Sequence, residues 1–295
     1  MLKNRYSFGI LLTIISGISW GFAGACGQYL FEVKELDPKW LATVRIFYSA
    51  LFLGIPVIFK FKKEAKALLR DKVGMIELLI FAIFGLFVCH YTYYMAIELS
   101  NAAIATVLQY TAPAMILVYV AIKNRAFPKK RELLALLFAM VGVFLLATHG
   151  KLDSFQIPKK ALIIGLISAV CVAIYTLSPI NNNKKYGTIV TLAMALIVGS
   201  FFSIFATGYW GLQGAYDIES FLAAAGVVFF GTIVSFTCYL YGVSIIGPSR
   251  ASLITAIEPV SAAIFVYFWF GTKFVFVDYV GFVLILACTA LLARK

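Results

Sequence analysis

Ionisable side chains inside apolar stretches are the residues of this sequence best suited to chemistry. The clearest is Glu258, which lies in the stretch TAIEPVSAAIF (255–265) and is followed directly by Pro259. An ionisable group at the centre of a membrane helix costs about 2.5–3.5 kcal/mol, so such groups usually face a cavity or a partner. Glu258 can bind and release a proton or face a cationic substrate. The alternative is a protonated Glu258 bonded to a carbonyl that Pro259 frees. We favour the functional role.

Two further ionisable residues interrupt apolar segments. His90 lies in the cluster HYTYY, where it can bind or relay protons or simply form a hydrogen bond between helices. We expect the structural role for His90 and keep it as a second proton-coupling candidate beside Glu258. Arg45 lies nearer the end of its segment. It could attract an anionic group, but we expect it to snorkel to the headgroups or to form a structural ion pair.

Aromatic residues make up 16% of the sequence, and several of them fall near the middle of apolar segments. A cavity walled by Trp and Tyr suits amphipathic or cationic ligands, through ring faces and hydroxyl donors. For any single Tyr, helix packing is the commoner role. With Glu258, the predicted substrate-binding residues are Trp20, Tyr94, Gln109, Tyr110, Tyr175 and Tyr239.

The segments that must position these residues are long and apolar. Hydrophobic residues make up 62% of the chain and charged residues only 13%, whereas a soluble domain has about 25% charged residues. A membrane-spanning helix needs about 20 apolar residues. Ten segments qualify: 7–31, 38–60, 74–99, 101–122, 132–149, 160–181, 187–210, 218–246, 248–271 and 275–293. The fold class predicted is an all-α polytopic membrane protein.

The formal charge of +12 is explained by membrane topology better than by nucleic-acid binding. Most of the basic residues fall in alternate loops, and the positive-inside rule places those loops and both termini in the cytoplasm. The five cysteines all lie inside the apolar segments, with no spacing that predicts a disulfide or a metal site. We expect no metal, no cofactor, no nucleic acid and no obligate protein partner; the partners expected are a small-molecule substrate, membrane lipids and protons.

The sequence contains an internal repeat. Shifted by 146 residues, FGLFVCHYTYYMAIELSNAAIATVLQYTAPA (84–114) aligns without gaps over FGTIVSFTCYLYGVSIIGPSRASLITAIEPV (230–260). Pro113 then aligns with Pro259, and Glu132 aligns with Asp278. The repeats predicted are 1–150 and 151–295. Five spans per repeat is an odd number, so the second copy is inverted, as in many secondary transporters. Pro113 and Pro259 are both predicted near mid-membrane, where we expect hinges; a purely structural kink is the alternative.

These features together resemble the drug/metabolite transporter superfamily and its ten-helix EamA-type members. The matching residues are Trp20-Gly21, Arg45, YTAP (110–113) and IEPV (257–260). Where that family usually carries Gly-Glu after the ninth span, this chain has Gly271-Thr272-Lys273. The resemblance implies ten helices, cytoplasmic termini and alternating access to a central cavity, mostly for export of amino acids, other metabolites or toxic compounds.

Other classes of membrane protein fit the sequence less well. The chain has only two histidines, His90 and His149, which are too far apart for a HExxH motif, and it has no GxSxG motif, so we do not expect an enzyme. A channel or facilitator remains an alternative, although no charged ring or filter repeat is evident. The prediction is a multi-pass secondary transporter of the cytoplasmic membrane. It would export a small metabolite, such as an amino acid or an amphipathic or cationic compound, with possible proton coupling.

Overall fold

The computed structural model describes residues 2–100, 102–150, 157–208 and 217–293, with the side chains of all but residues 2–4 and 103. Within these ranges the chain is helical and contains no strand, and ten helices are long and apolar enough to cross a membrane. They are α1 (Arg5–Glu32), α2 (Pro38–Lys60), α3 (Lys72–Leu99), α4 (Ile104–Asn124), α5 (Lys130–Thr148), α6 (Lys159–Tyr186), α7 (Thr188–Thr207), α8 (Ile218–Ile246), α9 (Pro248–Phe270) and α10 (Phe276–Ala293).

The ten observed spans confirm the ten predicted segments to within a few residues. Two predicted ends, at residues 101 and 210, lie outside the described residues. Ten spans return the chain to the membrane side on which it starts, here called the amino-terminal side. Large apolar side chains, such as Phe59, Phe205 and Phe268, are left exposed on the helices, as expected for surfaces in contact with lipid.

Short polar contacts fix the ends of several spans. The polar connection between α2 and α3 is itself a helix, Lys62–Arg70. Asp71 then caps α3 by accepting a hydrogen bond from the Val73 N–H at 3.1 Å. Hydrogen bonds from Lys185 and Tyr186 hold the pKa of the Asp71 carboxyl below its ordinary value. Lys34 follows the carboxyl-terminal end of α1. Its hydrogen bonds to Asp217 and Glu219 raise the pKa of Lys34 and tie α1 to the start of α8.

The two five-helix repeats are inverted and pack reciprocally. In one direction α1 packs against α8 and α9; in the other, its counterpart α6 packs against α3 and α4. The pairs α2–α7, α4–α9 and α5–α10 join counterparts directly. Irregular turns also recur: π-helical turns occupy Phe81–Val88 in α3 and Phe229–Val234 in α8. The α-helix is interrupted at residues 110–111 in α4 and 255–256 in α9, just before Pro113 and Pro259. A proline cannot donate a helical hydrogen bond, which explains both interruptions.

Glycines allow α1 to approach α9 closely. A Cβ on Gly21 would meet Ser261 Oγ and would lie 2.7 Å from the Glu258 carbonyl oxygen and 2.6 Å from the Ala262 nitrogen. Gly17, one turn earlier, would place a Cβ 2.5 Å from Ile257. Small residues four apart let the backbones of membrane helices pack tightly. The Trp20-Gly21 pair noted in the sequence therefore brings α1 against the part of α9 that carries Glu258.

We predict that Gly21→Val destabilises the folded protein by about 3 kcal/mol, because the backbone of α9 cannot move aside for the added side chain. Gly24→Val is the matched control: apart from its chain neighbours and the backbone of its own helix, no atom lies within 4 Å of a Cβ at Gly24. Thermal unfolding in detergent should show a lower midpoint for Gly21→Val and a nearly wild-type midpoint for Gly24→Val. Equal midpoints for the two variants would contradict this account of the α1–α9 contact.

Candidate functional site

A cavity of about 580 Å³ lies between the two repeats and is the candidate functional site. Its deep end is formed by residues that include Trp20, Arg45 and Glu258. Its outer end is formed by the last turns of α1, α3, α5 and α9 and by the first turns of α4 and α10. These turns all lie on the membrane side opposite the amino terminus, so the cavity opens to that side. Glu32 and His149, at the rim, are exposed.

Glu258 lies where the two interrupted helices meet. The Tyr110 hydroxyl, at the interruption of α4, lies 2.9 Å from Glu258 Oε2 and 3.3 Å from the Thr255 carbonyl oxygen, at the interruption of α9. Thr255 is four residues before Pro259, so its carbonyl lacks the usual helical donor. The Thr255 carbonyl instead accepts a hydrogen bond from the Glu258 N–H, three residues later, at 2.9 Å. The proline therefore leaves an acceptor that Tyr110 can reach beside the carboxyl group.

Arg45 is buried and lines the same cavity, so the expectation that it snorkels to the headgroups is wrong. Its guanidinium donates to the Gly231 carbonyl at 2.6 Å, Thr232 Oγ1 at 3.2 Å and the Tyr94 hydroxyl at 3.3 Å. Trp20 Nε1 donates to the same Gly231 carbonyl at 3.0 Å. Gly231 and Thr232 belong to the π-helical turn of α8, a type of irregularity that is frequent at functional sites. The second expectation, an ion pair, also fails: across the described residues, no carboxylate pairs with Arg45.

An aromatic cluster closes the deep end of the cavity. The rings of Phe236 and Tyr239 lie 5.3 Å from that of Trp20, and the Tyr175 ring packs at 5.2 Å from Phe236 and 5.7 Å from Tyr239. Trp20 faces the cavity, whereas Tyr175 and Tyr239 lie behind it, outside the cavity wall. The Tyr239 hydroxyl is bonded to Thr176 Oγ1 at 2.9 Å. Tyr175 and Tyr239 thus support the wall rather than form it.

Two other predicted residues lie away from the cavity wall. His90 Nδ1 is 2.6 Å from the Leu86 carbonyl oxygen of its own helix, and its ring packs against Phe236. Gln109 Nε2 donates to Ser168 Oγ at 2.7 Å, which joins α4 to α6. The structure does not bring either side chain into the cavity beside Glu258. Of the predicted substrate-binding residues, Trp20, Tyr94 and Glu258 line the cavity, and Tyr110 touches it through Glu258.

Sequence reasoning missed several residues of the cavity wall. Tyr93 lines it and shares a hydrogen bond with Thr106 Oγ1 at 3.0 Å. At the rim, His149 Nδ1 lies 2.8 Å from Asp278 Oδ1, and Asp278 is fully buried. The internal repeat already aligned Asp278 with Glu132, and that alignment was the available signal. Nothing in the local sequence indicates that His149, just past the end of α5, reaches Asp278.

Comparison with known proteins decides the family. The model of the EamA-like transporter family matches residues 7–148 and again residues 159–294. The chain belongs to the EamA-like transporter family. It is therefore a multi-pass membrane transporter of the drug/metabolite transporter superfamily, as the sequence resemblance implied, and works on a small-molecule substrate in a lipid environment.

Relatives of this EamA-type transporter agree with that assignment. It is 32% identical over 287 residues to a Salmonella typhimurium protein described as "uncharacterized inner membrane transporter YicL", covering 97% of this chain and 95% of that one. A Bacillus subtilis protein, "uncharacterized transporter YyaM", is 26% identical over 96% of this chain and 91% of that one. A protein of known crystal structure superposes with a TM-score of 0.73 at 15% identity, covering 96% of this chain and 95% of that one, and supports the fold.

Proposed function

We propose that the protein is a secondary transporter that exports a small zwitterionic metabolite, of the α-amino acid class, in exchange for protons. Residues 1–150 and 151–295 would form the two halves that alternate, with both termini in the cytoplasm. The observation that carries the proposal is the meeting of a buried cation, Arg45, and a carboxyl group, Glu258, in one cavity between these halves. The cavity then opens to the outside of the cell.

The charges in the cavity support a zwitterion. Arg45 spends three donors on Gly231, Thr232 and Tyr94, and a guanidinium has five, so two remain for a ligand carboxylate. Glu258 can accept from a ligand ammonium group. The aromatic walls offered by Trp20 and the neighbouring tyrosines suit an apolar side chain. Amphipathic cations, the other class predicted from the sequence, would use Glu258 and the aromatic wall but would offer no acceptor to the two remaining donors of Arg45.

The surroundings of Glu258 support proton exchange. When Glu258 is ionised, the Tyr110 hydroxyl can donate to it at 2.9 Å. When Glu258 is protonated, the carboxyl can donate to Tyr110, whose own proton can turn to the Thr255 carbonyl at 3.3 Å. Both states are thus satisfied without moving a helix. A proton and a ligand ammonium group compete for the same carboxylate, and this competition can couple their opposite movements.

Counterflow in proteoliposomes tests the proposal. Vesicles loaded with unlabelled phenylalanine or leucine should accumulate the labelled amino acid transiently, with saturation, whereas vesicles without protein should not. In proton exchange, acidifying the outside of the vesicles should speed release of the amino acid from their interior. Flux that does not saturate and needs no exchange would favour the channel alternative. Counterflow of phenethylamine without any counterflow of phenylalanine would favour the cationic class.

We predict that Trp20→Ala weakens phenylalanine binding by about three- to tenfold, because one ring contact contributes about 0.5–1.5 kcal/mol. Tyr239→Phe is the matched control: it removes only a hydroxyl bond to Thr176 behind the wall. The measurement is the concentration of phenylalanine that gives half-maximal counterflow. If both variants keep the wild-type value, Trp20 does not form the ligand-facing wall.

A further inference from the structure

The wall of the open mouth has a counterpart in the other half of the molecule. A shift of 146 residues relates six of the wall residues on α3, α4, α5 and α9 to counterparts that are less than 5% exposed. These six wall residues are Tyr94, Ile97, Thr106, Leu146, Ala262 and Ala263. Their counterparts, in the same order, are Leu240, Val243, Ser252, Leu292, Ile116 and Leu117. These counterparts lie on the amino-terminal side of the membrane, so the equivalent mouth on that side is packed shut.

Three polar side chains join four helices at the end of that closed mouth nearest the amino-terminal surface of the membrane. Arg250, in the first turn of α9, donates to the Tyr6 hydroxyl of α1 at 3.0 Å. Tyr6 in turn donates to the Leu292 carbonyl of α10 at 3.0 Å. Arg250 Nε lies 3.5 Å from Glu132 Oε1, in the first turn of α5, and its guanidinium stacks over the Tyr6 ring at 5.6 Å. Glu132 and Arg250 are both mostly buried, so water screens their attraction only in part.

The same four helices line the open mouth at their other ends. Asp278, the repeat counterpart of Glu132, lines that mouth. Its partner is His149, just past the end of α5, whereas the partner of Glu132 is Arg250, in the first turn of α9. The other ends of α1, α5, α9 and α10 surround the open mouth. An equivalent opening on the amino-terminal side would therefore separate Glu132 from Arg250.

We propose that Tyr6, Glu132 and Arg250 form a latch that holds the amino-terminal-side mouth of the transport path closed. The inference rests on the alternating access of the proposed function but not on its substrate. Breaking the latch removes contacts made only in the closed state, so it raises the population that is open to the amino-terminal side. Each of the three residues is then a positioning residue for transport, without touching the ligand.

Cysteine labelling without any added substrate tests the latch. Ser252→Cys is introduced into a chain whose native cysteines are replaced, and a membrane-impermeant maleimide is applied to both sides of proteoliposomes. Glu132→Gln removes the charge but keeps a side-chain acceptor for the Lys129 N–H, and so preserves the cap at the start of α5. We expect Glu132→Gln and Arg250→Gln to raise the labelling rate of Ser252→Cys about tenfold, as loss of one charge-assisted bond implies. Tyr6→Phe, the mildest change, should raise it less.

Two controls make the outcome decisive. Ala139→Cys, at a buried position of α5, should stay unlabelled in every latch variant; a rise there together with Ser252→Cys would mean general loosening and would overturn the latch. The charge swap Glu132→Arg with Arg250→Glu should return Ser252→Cys labelling toward the unmodified rate. An unchanged rate in both single variants overturns the latch even if amino-acid counterflow is normal. A rise at Ser252→Cys alone supports it even if no tested amino acid is transported.

Discussion

Glu258→Gln is expected to abolish amino-acid accumulation driven by a pH gradient while leaving the folded protein intact. Glutamine keeps an acceptor for the Tyr110 hydroxyl but cannot bind or release a proton. Gradient-free counterflow should continue, with phenylalanine affinity lowered by about tenfold or more, because one charge-assisted hydrogen bond is lost. The measurement is accumulation of labelled phenylalanine with and without a pH step, beside the thermal midpoint in detergent.

Glu32→Gln is the control for this substitution, since Glu32 lines the rim of the same cavity and differs from Glu258 in its depth. It should respond to the gradient like the unmodified protein. Tyr110→Phe should fall between the two, because it removes the hydroxyl that serves both the carboxyl group and the Thr255 carbonyl. Wild-type accumulation by Glu258→Gln under a pH gradient would exclude Glu258 as the coupling group.

Arg45→Gln is expected to separate zwitterions from simple amines. Loss of the guanidinium removes the proposed partner of the ligand carboxylate, so phenylalanine affinity should fall about tenfold or more. Phenethylamine, which has the same ring and ammonium group without the carboxylate, should bind the variant at least as well as it binds the unmodified protein. Both affinities can be measured by inhibition of labelled phenylalanine counterflow by each compound. They can also be measured by the rise in the thermal unfolding midpoint of the variant when each compound is added.

Folding must be separated from binding in this experiment, because Arg45 also donates to Gly231 and Thr232. Arg45→Lys keeps the charge but loses the planar fork, and we expect it to hold phenylalanine more weakly than Arg45 and more tightly than Gln. Equal losses for phenylalanine and phenethylamine in a well-folded Arg45→Gln variant would rule out a carboxylate site at Arg45.

The sequence was sufficient for the ten spans and for the repeat, because both depend on long-range composition and register. A run of about 20 apolar residues has few alternatives in a membrane, and an odd number of spans per repeat dictates inversion. The interruptions before Pro113 and Pro259 were likewise predictable, since a missing N–H acts locally. Whether these interruptions move as hinges remains a prediction.

The cavity wall was predictable only in part, because a span position gives depth but not direction. Trp20, Tyr94 and Tyr239 were all predicted to bind substrate from their span positions, yet only the first two face the cavity. Arg45 was misjudged for a different reason. Its main acceptor, the Gly231 carbonyl, is in a π-helical turn of a helix far away in sequence, and neither the turn nor its partner can be derived from the residues around Arg45.

That shared acceptor has a mechanical consequence. One carbonyl oxygen of α8 receives both the Trp20 indole N–H from α1 and the Arg45 guanidinium from α2. Two helices of the first repeat, α1 and α2, are thereby fixed to one carbonyl group of the second repeat. A sliding or unwinding of that turn would displace the ring and the cation together. The proposed contacts with the side chain and the carboxylate of a ligand would then weaken in one step, and only the proposed ammonium contact with Glu258, on α9, could outlast them.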